Sequence, residues 1–120
     1  MGGKGTGMNV NPLITALKGK TGIEVVPDYY EGAADKWIAF TYEDERPAQK
    51  GDNAVTWDIA YIQVSLFTPG KFNYMSLKET IKTYLESIGI VTNVQSWTYK
   101  DKEQMIRQTT FNVEIEKERL

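Results

Sequence analysis

The sequence predicts an α+β fold: one mostly antiparallel (mixed) sheet of about five strands with two helices packed on one face, in the order α-β-β-β-α-β-β. Three observations carry this. Apolar residues recur at helical spacing in only two segments, one near the start and one after the middle of the chain. The segments between and after them are β-branched, aromatic or alternating, and they do not exchange one for one with helices as a parallel α/β fold requires. The second and third of these strands are joined by a link too short for a crossover, so they pair as an antiparallel hairpin.

The elements follow in order. Met1–Gly7 (MGGKGTG) has four glycines in seven residues and cannot nucleate a core. Residues 1–8 are therefore expected to be a flexible leader, with Met8 an alternative start, and residues 9–118 a single domain. The glycines lack the preceding strand and the GxxxxGK[ST] spacing of a phosphate loop. Asn11 is a good N-cap and Pro12 fits the first helical position, where an N–H has no partner. Leu13, Ile14 and Leu17 form the apolar stripe of this helix, and Gly19 and Gly22 are expected to stop it.

Ile23–Val26 reads as a first strand, at an edge because Pro27 closes it. Asp28–Lys36 is a polar connection. Trp37–Glu43 reads as a second strand, with Ile38, Phe40 and Tyr42 on one face and Trp37, Ala39 and Thr41 on the other. Asp44–Asn53 (DERPAQKGDN) reads as a charged turn. Val55–Phe67 is a long third strand with Ala60, Ile62, Val64 and Leu66 on one side, and Trp57, Ile59, Tyr61, Gln63 and Ser65 on the other.

Thr68-Pro69-Gly70 ends that strand. Ser76-Leu77-Lys78-Glu79 has the form of a capping box. Leu77, Ile81, Tyr84, Leu85 and Ile88 follow as the buried stripe of a second helix, with Lys78, Glu79, Lys82 and Glu86 on the wet face. Gly89 is expected at C′. Val91–Tyr99 and Met105–Glu116 are the last two strands, joined by the polar Lys100–Glu103 turn. In the last strand Phe111, Val113 and Ile115 face in, while Thr110, Asn112, Glu114 and Glu116 face out.

Composition narrows the function. The 120 residues are 41% hydrophobic, enough for one core. Lys+Arg 14 against Asp+Glu 16 gives a net charge of -2, without the basic footprint of a nucleic-acid-backbone binder. The chain has no Cys and no His. Disulfides, thiolate metal sites and a Cys nucleophile are excluded, and so is the commonest general base. A non-enzymatic protein without cofactor or metal is expected. No stretch has the roughly 20 apolar residues of a membrane span. No secretory signal appears at the start, so a cytosolic setting is expected.

The remaining chemistry is sparse. Asp28, Glu31 and Asp35, and then Glu43, Asp44 and Glu45, are carboxylate groups of the kind that acid–base work or Mg²⁺ and Ca²⁺ binding employs. They read as solvated turn charge, since no apolar pocket is evident beside them and an EF-hand spacing is absent. Ser65, Ser76, Ser87 and Ser96 lack a His partner and a GxSxG elbow. The informative excess is aromatic. With both helices on one side of the sheet, Trp57, Ile59 and Tyr61 of the third strand lie on the other, where a monomer would expose an apolar patch. A subunit contact covers such a face well. Base stacking is the lesser alternative, because Asp58 and Gln63 stand where Lys or Arg would be expected.

The middle and end of the chain resemble a known family. WIAFTYEDERPAQKGDN, WDIAYIQVSLFTPGKFNYMSLKETIKTYLESIGI and the final FNVEIEKE, in that order, resemble tail terminator (tail completion) proteins of long-tailed bacteriophages and prophages of Gram-positive bacteria. The resemblance spans roughly residues 20–118 and lies in the ordered combination. It implies a structural protein that forms a hexameric ring, caps the tail tube, stops tail polymerisation and forms part of the head–tail joining interface. The implied partners are further copies of itself, monomeric in some members before assembly, together with the major tail tube protein and a head-completion or connector protein. No membrane and no sequence-specific nucleic acid is implied. The implied location is the head-proximal end of the virion tail, reached through the host cytoplasm. The family brings no catalytic residues. The expected subunit or tube contacts, read from the aromatic face and the neighbouring turn, are Trp57, Ile59, Tyr61, Arg46, Lys50 and Asp52. Alternatives are another neck or connector adaptor, a small protein-interaction domain or, last, a small carboxylate-based hydrolase.

Overall fold

The computed structural model describes the backbone of residues 11–28, 30–50 and 55–118, and their side chains except at 11, 45–50, 55–57 and 117–118. The elements are α1 (Asn11–Thr21), β1 (Glu24–Pro27), β2 (Trp37–Lys50), β3 (Val55–Pro69), α2 (Met75–Ile88), β4 (Ile90–Asp101) and β5 (Gln104–Glu118). The order is the expected one. The strands form one five-stranded sheet arranged β1-β2-β3-β5-β4. β1 runs parallel to β2, and every other pairing is antiparallel. α2 carries the chain over to β4 at the far edge, and β5 returns between β4 and β3.

One face of the sheet and both helices share the core. Ile38, Phe40, Ile62, Val64, Leu66, Phe111, Val113 and Ile115 supply the sheet side. Leu13 and Leu17 from α1 and Ile81 and Leu85 from α2 pack on it, and the last three of these four are fully buried. The helical spacing seen in the sequence thus marks true core contacts.

Several local expectations give way to tertiary effects. α1 runs through Gly19 to Thr21. It ends where Gly22, at φ 71°, donates its N–H to the Lys18 carbonyl at 2.8 Å. The Thr21 hydroxyl donates to the Leu17 carbonyl at 2.6 Å and accepts from the Ile23 N–H at 3.2 Å, which closes the turn. The charged segment after Glu43 is not a turn: β2 continues to Lys50. β1 pairs only with Trp37–Phe40. Beyond that, among the described residues, β2 bonds to β3 alone and forms a sheet edge, where Pro47 can sit without its missing N–H breaking a second ladder. The residues joining β2 to β3, 51–54, lie outside the described residues, as do the expected leader, residues 1–8, and residues 9–10 after it.

The capping box does not form. α2 starts at Met75 with Tyr74 as N-cap, so Ser76 is already inside the helix, and the Tyr74 side chain makes no cap hydrogen bond. Asn73 Oδ1 accepts the Met75 N–H at 3.2 Å instead. At the other end the Gly89 N–H bonds to the Leu85 carbonyl at 3.0 Å, but Gly89 has extended φ and ψ rather than the left-handed geometry expected of C′. A Cβ at this position would meet the Glu114 carbonyl oxygen, so glycine is needed for close approach to β5.

Candidate functional site

The sheet face turned away from the helices carries the candidate site, and the strand register sorts it into rows. The first row across β2, β3, β5 and β4 is Trp37, Phe67, Gln108 and Trp97. Trp37 stacks on Phe67, with centroids 4.9 Å apart and planes 13° from parallel. Tyr30, from the loop after β1, stacks on the other side of Trp37 at 5.2 Å. The loop thereby covers one end of the face, while Trp97 at the edge strand stays 43% exposed.

The next row is Ala39, Ser65, Thr110 and Gln95. Thr110, expected to face out to solvent or a partner, is buried, as are Ala39 and Ser65. Burial is tolerable because the Ser65 and Thr110 hydroxyls bond to each other at 3.0 Å. Gln108 Nε2 also donates to Thr110 Oγ1 at 3.3 Å. A polar row of Thr41, Gln63, Asn112 and Asn93 follows, then Asp44, Tyr61 and Glu114, then Arg46, Ile59 and Glu116.

A bulge between Tyr42 and Asp44 sets this order. Straight alternation from Ile38 and Tyr42 would put residues 44 and 46 in phase with the helix side. The extra residue, Glu43, shifts the phase, and Asp44 and Arg46 become the register partners of Tyr61 and Ile59.

The expected contact residues therefore fare differently. Ile59 and Tyr61 lie half-buried on the open face, on the side away from the helices. Trp57, Arg46 and Lys50 hold backbone positions opposite Ala48, Ile59 and Val55, while their side chains lie outside the described residues. Asp52 lies outside the described residues altogether. The residues missed by sequence reasoning are the exposed apolar ones: Met75 at 49%, Ile90 at 58%, Trp97 at 43% and Met105 at 51%. Alternation along the fourth strand was the available signal for Trp97. For Met75 it was hidden by the apparent capping box.

A second cluster lies at the start of α2. The Arg107 guanidinium rests on the Tyr74 ring at 4.5 Å, and Lys78 Nζ is 6.0 Å from the same ring. Ser96 bonds to the Thr109 hydroxyl at 2.8 Å. A hydrogen bond from Ser96, then one from Arg107 and the charges of Arg107 and Lys78, hold the Tyr74 phenol below its ordinary 10.0.

Among the described residues, no group of three or more carboxylates is placed to hold a metal ion. Asp28, Glu31, Asp35 and Glu43 are all exposed. Asp35 accepts a hydrogen bond from its neighbour Lys36 at 3.2 Å. Among the described residues, no helix is long and apolar enough to cross a membrane.

No protein-family model matches the sequence, and no curated protein sequence matches it. Among solved structures, a chain bearing no descriptive name is similar at 9% identity and a TM-score of 0.47, over 88% of this chain and 89% of that one. A chain from the virion of a native gene transfer agent particle is similar at 12% identity and a TM-score of 0.43, over 84% of each chain.

Proposed function

We infer that the chain is a structural assembly protein of a long-tailed phage or prophage, a tail terminator that caps the tail tube and presents a surface for head joining. The observation that carries this is the open sheet face. Both helices pack on the other side, yet this face bears Ile59, Tyr61 and Trp97 around a buried hydroxyl pair. An apolar and aromatic surface of that kind is suited to burial against another protein. The ordered sequence likeness to tail terminators, over roughly residues 20–118, supplies the class of partner.

On this reading Trp57, Ile59, Tyr61, Arg46, Lys50 and Asp52 meet a neighbouring subunit or the tube. The work is done by fit and contact, without catalysis or cofactor. The absence of Cys and His supports this, as does the exposure of Asp28, Glu31, Asp35 and Glu43.

Electron microscopy of particles assembled without this protein is the direct test. Overlong tails without heads are expected. Tails of normal length joined to heads would overturn the reading. Tyr61→Glu gives a local check: the variant should stay folded and soluble but fail to complete tails. Loss of folded protein would instead place Tyr61 in the core.

A further inference from the structure

The helix side of the sheet turns polar toward the start of α2. Across β3, β5 and β4 the register sets Val64, Phe111 and Val94 in one row, then Leu66, Thr109 and Ser96, then Thr68, Arg107 and Thr98. Alternation keeps all three rows on the side of α1 and α2. In the last row the Arg107 guanidinium rests on the Tyr74 ring at 4.5 Å. Thr68, its register partner, is only 1% exposed. Thr68 Oγ1 and Arg107 Nε are both buried, and neither has a hydrogen-bond partner. Folded chains leave few buried polar atoms in that condition, and here two stand side by side. Among the described residues, no ion pair engages Arg107 or Lys71.

A groove of about 620 Å³ lies beside this row, lined by Arg107, Thr98, Lys71, Met105 and Glu103, among others. Its wall is held in place, because the Gly70 N–H donates to the Met105 carbonyl at 2.8 Å and so ties the turn after β3 to β5. Stacking on Tyr74 orients the guanidinium plane. Lys71 adds a second, exposed cation. Met105, 51% exposed, offers a thioether that adapts to an apolar neighbour.

We propose that this groove binds a Glu or Asp side chain flanked by apolar residues on an extended segment of another protein. Arg107 and Lys71 take the carboxylate, and Met105 takes the apolar flank. Charge complementarity selects this occupant. Two cations without a carboxylate partner face the groove, and the planar guanidinium fork matches a carboxylate. Glu103, also in the lining, repels a polyanion such as a nucleic-acid backbone, whereas a single carboxylate can seat on the cations. The site lies on the opposite side of the sheet from Ile59 and Tyr61. It therefore stands apart from the reading of that face.

The test is two-dimensional NMR on the isotopically labelled full chain, following the Arg107 Nε–H signal and the backbone amides of Lys71 and Met105. The probe is a short acetylated and amidated peptide with one Glu between two Leu in a Ser-Gly background. Saturable shifts of these signals are expected. The same peptide with Gln in place of Glu should bind at least about fivefold more weakly. Lys71→Glu and Arg107→Gln should each weaken the Glu peptide by a similar factor. The amide spectrum shows whether each variant is folded. If Arg107→Gln is not, the exposed Lys71→Glu decides alone. Absence of these shifts up to about 5 mM peptide overturns the proposal, as does equal binding of the Gln peptide. Tighter binding of inorganic phosphate or a single-stranded oligonucleotide at the same signals also overturns it, assigning the groove to a phosphate ligand. Shifts that follow protein concentration without peptide overturn it in favour of a second copy. Tail length in particles lacking the protein decides the terminator reading separately.

Discussion

The Ser65 hydroxyl lies 3.0 Å from the Thr110 hydroxyl, and both residues are buried although they sit on the sheet face turned away from α1 and α2. Each hydroxyl satisfies the other where water is excluded. Thr110→Val keeps the shape and removes that partner, leaving Ser65 with Gln108 Nε2 at 3.5 Å. Chemical denaturation should show a loss of about 1–3 kcal/mol. The double variant Ser65→Ala, Thr110→Val should lose less than the two single changes together. Simple additivity would mean that the hydroxyls do not depend on each other.

Gly89 joins α2 to β4 directly against the Glu114 carbonyl. Gly89→Ala should destabilise by about 1–3 kcal/mol, because the added methyl forces the β4–β5 ladder or the helix end to move. A neutral result in thermal or denaturant unfolding would show that the junction yields freely.

Ile81 is fully buried between α2 and the sheet. Ile81→Ala should destabilise by about 2–5 kcal/mol, the range for large-to-small changes in a core. Urea unfolding reads this directly, and the slope of the transition should stay unchanged.

Lys102 holds φ at 59° in the β4–β5 turn, a conformation that suits glycine. Lys102→Gly should stabilise by about 1 kcal/mol through relief of the left-handed strain, less the extra freedom gained by the unfolded chain. Clear destabilisation would show that the Lys102 side chain supports the turn.

Burial pushes the Tyr84 phenol above its ordinary 10.0, and burial, then the Asp101 charge, does the same to Tyr99. The folded state therefore favours their neutral forms. Their contribution to stability is whole below pH 10.0 and declines as pH rises from there through the folded values, because the unfolded chain loses these protons first. Tyr74, lowered chiefly by its Ser96 bond, acts in the opposite sense: its contribution is present above pH 10.0 and is lost as pH falls through its folded value. Denaturant midpoints measured on both sides of pH 10.0 should fall more gently for Tyr84→Phe than for the parent chain.

Within the fold, residues with a strong period were legible. Leu13 and Leu17, Ile81 and Leu85, and the alternating Ile62, Val64 and Leu66 all reach the core that their spacing predicts. Local signals that compete with long-range pairing were not. Asp44–Lys50 has the composition of a turn, but pairing with β3 holds it extended, and the edge position accommodates Pro47. Ser76 matches a cap by spacing, yet the helix begins one residue earlier, at Met75. In the candidate site, the placement of Ile59 and Tyr61 away from the helices was readable from alternation. Trp97 was visible as a residue but not as the exposed end of a row.

The sequence by itself determined the element order, the apolar stripes that bring both helices to one side, and the absence of Cys and His chemistry. These depend on residue type and on periodicity, which are local. The tertiary structure decided which strands are neighbours, the shift of phase at Glu43 and the burial of Thr110 beside Ser65. Those depend on hydrogen-bonded register between distant segments, where one extra residue in one strand moves every later side chain to the other face.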